Sequence, residues 1–268
     1  MKPLRTAPRS RHWADMNEFS FVAGMRVLFW LGRALGRWPA RLALYPIVLW
    51  YMIAKPAARA ASREYLLRIA QRNDSGARKP GRFLVLRHFA SFAEDLLDKM
   101  LLWSGWLPAE PVKYYNWELM TAQLASKRGA LLVCCHLGNL ELCRVLAKRM
   151  PGLKMTVLLH TKHAEKFNRL LARLNPASEV DVMQVTELSP ATAVFLADKI
   201  AGGEFVAIAA HRIPVSPHPG DAVATFLGAP APFPVGPYIL ANLLQCPVYL
   251  LFTLRVGDAV EVHFELFR

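Results

Sequence analysis

Ala130-Leu-Leu-Val-Cys-Cys-His136-Leu-Gly-Asn-Leu-Glu141-Leu-Cys-Arg-Val-Leu-Ala-Lys-Arg-Met150 decides how the rest of the chain is read. Its first six residues, behind Gly129, form an unbroken small-to-apolar run of the length of a buried strand. Gly138 and Asn139 interrupt that run, and Asn139 is a good N-cap for the amphipathic stretch that follows. His136 is therefore expected at the end of a strand, and Glu141 in the first turn of the next helix. On one continuous helix, residues five apart diverge by roughly 140°. A strand–turn–helix corner can fold them together, and the helix N-terminus favours an ionised carboxylate. Glu141 could then hold one imidazole nitrogen and leave the other free as a general base. The competing reading is a buried strand-end histidine beside a surface glutamate. It stays open on spacing alone, because His160 and Glu165 repeat the pattern at another strand-to-helix junction.

Downstream, strand-like and helix-like periods alternate. Lys154–Leu159, Val180–Val185 and Phe205–Ala210 read as strands, and 162–174 as a helix stopped by Pro176. Ser189-Pro190 is a cap followed by a first-turn proline, opening a helix that Gly202-Gly203 ends. Val223–Leu227 reads as a short strand, Gly236–Leu244 as a helix, and Val248–Leu254 with Val260–Phe267 as a closing hairpin. The uncharged segment Phe226–Tyr238, with Pro230, Pro232, Pro234 and Pro237, reads as a stiff apolar wall that is a poor helix or strand. Alternating strands and helices predict an α/β domain over 83–268, a layered mixed sheet flanked by helices. Upstream of the opening stretch, a helix is expected from a capping Asn116 to Lys127, closed by Gly129, and Pro108 to Lys113 is read as a break.

The N-terminal third differs. Residues 1–82 hold 16 Lys/Arg against 4 Asp/Glu, while 83–268 hold 17 against 16, so nearly all of the net charge of +13 lies at one end. A basic segment suits nucleic acid or an anionic membrane. Here the charges interleave with apolar runs, Phe19–Leu31 and Trp38–Ala54, which selects the membrane over nucleic acid. The uncharged core of the second run, 42–54, is shorter than the ~20 residues of a membrane span. Trp30, Trp38, Trp50 and Tyr51 suit an interfacial belt, and Arg33, Arg37, Lys55, Arg59 and Arg63 an anionic-lipid flank. Residues 1–72 are thus read as a membrane-associated helical segment whose helices lie on or dip into the bilayer. The alternative is a buried helical hairpin in a soluble fold. No secretory signal is expected, since no cleavage site follows an apolar core at the N-terminus.

Several chemistries lack their signatures. The four cysteines, Cys134, Cys135, Cys143 and Cys246, have no zinc or disulfide spacing, and no metal is expected. There is no phosphate-binding glycine loop and no G-x-S-x-G nucleophile elbow.

The block Cys134-Cys-His136-Leu-Gly-Asn-Leu-Glu141 resembles the H-x4-D/E motif of the lysophospholipid acyltransferase superfamily, and its glutamate variant resembles the bacterial lipid A biosynthesis (lauroyl and myristoyl) acyltransferase arm. Further blocks similar to that arm follow in order: His160-Thr-Lys-His-Ala-Glu-Lys-Phe-Asn168, Gly203-Glu-Phe-Val-Ala-Ile208, and Phe226 to Tyr238. Upstream, Arg87-His-Phe-Ala-Ser-Phe92 and Leu96-Leu-Asp-Lys-Met100 fit it too. The resemblance covers roughly Trp13 to the end. It implies a glycerol-3-phosphate acyltransferase-like fold and an O-acyltransferase at the cytoplasmic face of a bacterial inner membrane. The donor would be an acyl carrier protein or coenzyme A thioester, the acceptor a hydroxyl of a glycolipid or other lipid, and no cofactor would be needed. His136 would deprotonate the acceptor and Glu141 would orient His136. Asn139, Thr161, Lys162, His163, His211 and Arg212 are the candidate substrate-binding residues. His136, Lys162 and Arg212 are expected to converge beyond the strand ends, where cations suit a phosphate.

Two departures qualify the resemblance. Related acyltransferases usually place an aspartate where this chain has His211. They also usually continue past the last hairpin into a helix and an aromatic-rich tail, so part of an acyl-tunnel wall is expected to be missing or supplied by a partner. Two other readings therefore remain beside the transferase. One is a lipid or thioester hydrolase using the same dyad; the other is a catalytically impaired lipid-binding membrane protein.

Overall fold

The computed structural model describes residues 27–32, 34–72, 80–103, 112–137, 152–159, 180–184, 189–213, 220–256 and 259–268. Its strands are β1 (Val112–Tyr115), β2 (Leu131–Cys134), β3 (Met155–Leu159), β4 (Val180–Gln184), β5 (Phe205–Ala209), β6 (Asp221–Phe226), β7 (Ala229–Pro234), β8 (Val248–Val256) and β9 (Ala259–Leu266). Its helices are α1 (Arg37–Ala54), α2 (Pro56–Arg72), α3 (Arg82–Trp103), α4 (Trp117–Ala125), α5 (Pro190–Ala201) and α6 (Gly236–Leu244).

Seven strands form one sheet in the order β1-β9-β8-β2-β5-β3-β4. β8, β2, β5, β3 and β4 are parallel, β9 returns antiparallel to β8, and β1 pairs parallel with β9. The mixed α/β architecture expected from the alternation is therefore present. β2 lies inside the sheet, and all four of its residues are buried. Leu132 and Cys134 pack on one face with Met155, Ala207, Leu251 and Phe264 under α4. Leu131 and Val133 pack on the other with Val206 against Leu196 and Ile200 of α5 and Leu240 and Leu244 of α6. A strand covered on both faces has no polar side to show, which is why its sequence is a continuous apolar run.

Local signals set the entry to this core. Ser189 accepts a hydrogen bond from the Thr192 N–H at 3.1 Å, capping α5 ahead of Pro190 as expected. Gly129 does not close α4. The left-handed residue there is Lys127 (φ 56), while Gly129 is needed because a Cβ would overlap the Glu204 carbonyl. Asn116 likewise makes no side-chain cap. It is itself left-handed (φ 54), and its amide donates to the Phe264 carbonyl at 2.8 Å, tying α4 to β9.

Two strands were not expected. β1 occupies part of the stretch read as a break, paired at the edge of the sheet on β9. β7 is built from the proline-rich wall and forms a two-stranded hairpin with β6. Pro230, Pro232 and Pro234 alternate, opposite Thr225, Val223 and Asp221. Alternate residues direct their amide positions to one side, so the missing N–H groups all fall on the unpaired edge.

The N-terminal helices form a separate layer. Ala40, Leu44 and Val48 of α1 pack with Leu28 and Phe29 against Ala90, Leu97 and Leu101 of α3. Arg41 Nε donates to Glu94 Oε1 at 2.8 Å, and Tyr45 donates to the same oxygen at 3.1 Å. Among the described residues, no helix is long and apolar enough to cross a membrane.

Candidate active site

β2 and β5 lie side by side in parallel, with Cys134 opposite Ala209. The Ala210 N–H donates to the Cys134 carbonyl at 2.9 Å, extending the pairing by one residue. His136 follows Cys134 by two residues, and His211 follows Ala209 by two. Parallel register alone therefore brings two histidines 75 positions apart to one spot at the carboxyl edge of the sheet. His136 Nδ1 lies 2.9 Å from His211 Nε2, with the ring centroids 4.6 Å apart.

Both imidazoles are held below their ordinary titration range. For His136 the largest cause is desolvation by the protein around the ring, then positive potential from His211, Arg212 and Lys99, which together lower it to about 3. His136 is an exposed residue, so solvent weakens these influences, but every one of them has the same sign. His211 is lowered by burial and then by Arg212. With both rings neutral, a single hydrogen occupies the line between them. His211 Nδ1 is buried and has no hydrogen-bond partner among the described residues.

Of the sequence candidates, the structure brings together His136, His211 and Arg212. Asn139, Glu141, Thr161, Lys162 and His163 lie outside the described residues. Arg212 follows His211 and acts electrostatically on His136, while Lys162 and the expected His136–Glu141 contact fall on residues not described. Lys99 of α3 was not singled out from the sequence. It stands in the quoted block Leu96–Met100, directly after Asp98, and nothing in the sequence marked it for the site.

Among the described residues, other titratable groups offer no rival centre. The Cys134 thiol is buried, contacts the Ile208 carbonyl at 3.3 Å and is pushed up to about 12 by burial, so it is no nucleophile. His88 lies 2.8 Å from Ser62 and stacks on Tyr65, joining α2 to α3. His263 stacks on Tyr115 across β1 and β9. Among the described residues, no group of three His, Cys, Asp or Glu side chains could hold a metal ion.

The sequence profile of the family described as bacterial lipid A biosynthesis acyltransferase matches residues 107–267. That span includes β1–β9 with His136, His211 and Arg212, and excludes α1–α3 and Lys99. A search of curated proteins finds no match.

Proposed function

Starting from a chain that belongs to the bacterial lipid A biosynthesis acyltransferase family, and is therefore an acyltransferase, we propose that it moves a fatty acyl group from an acyl carrier protein or coenzyme A thioester to a hydroxyl of a glycolipid or related lipid. The observation that carries this reading is a neutral His136 at the carboxyl edge of a buried sheet, inside the family-matched span. Nδ1 faces His211, so Nε2 is the nitrogen left for the acceptor. As the acceptor oxygen attacks the thioester carbonyl, His136 takes its proton. The C–O bond forms, the C–S bond breaks, and the proton passes to the departing sulfur. No acyl-enzyme and no cofactor enter this scheme. Glu141 would compensate the imidazolium charge that forms on His136, while Arg212 and Lys162 would hold phosphate on acceptor or donor.

The same proposal places the enzyme on an anionic membrane surface, the cytoplasmic face of a bacterial inner membrane. Supporting it is the outer side of α1, where Trp38, Leu42, Leu49, Trp50 and Ile53 are exposed while Ala40, Leu44 and Val48 point inward. Phe83 and Phe92 of α3 are exposed as well. Apolar surface of this extent, set in the basic third of the chain, suits a bilayer interface.

Mass spectrometry of lipids from cells with and without the gene tests the reaction and names the acceptor. A lipid species lighter by one acyl chain in the deletion is expected, restored by wild type but not by His136→Ala. Free fatty acid released without any acylated product would replace the transferase by a hydrolase.

A further inference from the structure

The contact between His136 Nδ1 and His211 Nε2 can be made in two ways, and only one leaves a working base. If His211 donates, His136 accepts on Nδ1 and, being neutral, keeps its own proton on Nε2. That tautomer has no lone pair to offer an acceptor hydroxyl. If His136 donates from Nδ1, its Nε2 is free, and the second neutral ring must carry its proton on Nδ1. That atom is the one sealed from solvent with no partner among the described residues. Buried N–H groups with nothing to bond are rarer in proteins than acceptors with nothing to bond. The sealed atom therefore weights the pair toward donation by His211.

We propose that His211 is the positioning residue of the site, setting which nitrogen of His136 carries the proton, and that in the ligand-free protein it holds His136 in the Nε2–H form. Passage to the working form conserves both protons. His136 gives up the proton on Nε2 and carries one on Nδ1; His211 gives up the one on Nε2 and carries one on Nδ1. It becomes favourable when negative charge near His136 favours its Nδ1–H by enough to outweigh the unbonded Nδ1–H of His211. A carboxylate at position 211 would differ in kind, because it only accepts and so fixes His136 as the Nδ1 donor. The catalytic consequence rests on the acyltransferase reading above; the tautomer itself does not.

The test is a two-bond proton–nitrogen correlation spectrum of the full chain labelled with ¹⁵N-histidine, without substrate, with His136 assigned by the signal lost in His136→Gln. Wild type is expected to carry the His136 proton on Nε2. His211→Asp is expected to move it to Nδ1 and to raise acyl transfer at least ~10-fold, a fraction of the ~10²–10⁴ that a general base supplies. A wild-type His136 protonated on Nδ1 overturns the proposal, whether or not the variant folds. So does a His211→Asp spectrum in which His136 is unchanged, or a loss of activity in that variant with its fold intact. The expected tautomers in a protein without acyl transfer would support the pairing and count against the reaction proposed above instead.

Discussion

Desolvation, with positive potential from His211, Arg212 and Lys99 added to it, makes His136 an unusual base: it stays neutral far into acid, but the surroundings resist the imidazolium it must become. Two expectations follow for pH. The acid limb of the kcat/KM profile should not fall near the ordinary histidine value of ~6.5 but well below it, toward the about 3 of His136. A carboxylate at position 211 should move that limb upward, since it favours the charged ring. Stability should also depend on pH. Above ~6.5 neither the folded nor the unfolded state protonates these two rings, and the stability they permit is fully present. As pH falls through that value, the unfolded chain binds protons that folded His136 and His211 refuse, so stability declines toward the lowered folded values. Urea midpoints at pH 7 and pH 5 measure this, and His136→Gln should flatten the difference. An unchanged slope in that variant would remove His136 as a source.

At the scale of elements, the sheet has a chemical edge and a structural edge, and mutations should separate them. Gly129 enters β2 where a side chain would strike the Glu204 backbone. Gly129→Ala should therefore cost at least the ~1–3 kcal/mol of ordinary overpacking, by shifting β2 and with it His136. Removing the α5 cap is milder, with Ser189→Ala expected to cost ~1 kcal/mol. Near the amino ends of β3 and β5, Lys199 Nζ lies 2.8 Å from Glu204 Oε1 and 3.0 Å from Thr156 Oγ1, and Thr156 also bonds Glu204. Lys199→Met leaves the Glu204 carboxylate short of its cation, at a cost on the order of 1–3 kcal/mol. It sits away from the carboxyl edge, so a denaturation midpoint should fall while kcat below that midpoint holds.

For the molecule as a whole, the decisive surface is the outer face of the N-terminal layer. Deleting residues before 57 would strip the exposed apolar side chains but would also uncover Leu97 and Leu101, which α1 buries. A cleaner variant changes only exposed positions: Trp38, Leu42 and Trp50 to glutamate, leaving Ala40, Leu44 and Val48 in place. Flotation with vesicles containing anionic lipid should recover wild type with the lipid and the triple variant without it. Raising salt should weaken wild-type binding in part, since each cation near the surface contributes ~1 kcal/mol and the apolar part is unscreened. A wild-type protein that stays in the aqueous fraction with such vesicles would sink the membrane reading.

The sequence by itself determined the local pieces. The doubly covered strand at Leu131–Cys134, the capped helix after Ser189 and the closing hairpin of β8 and β9 are all written in short-range patterns: apolar runs, a serine before a proline, alternating residues. It also carried the family through ordered blocks and put His136, His211 and Arg212 at strand ends. It misread β7, because proline counts against a strand until a partner fixes which edge the missing amides face. It placed Asn116 correctly at the N-cap of α4 but not its side chain, which serves β9. Only the tertiary structure decided that His136 and His211 touch. That contact depends on β2 and β5 being neighbours in parallel with Cys134 opposite Ala209. Strand order and register are set by long-range burial of both faces of the sheet, which no local window of sequence contains. The same packing brought Lys99 to the site from a helix outside the family-matched span and sealed His211 Nδ1. The chemistry of the base therefore depends on neighbours that the motif around it does not name.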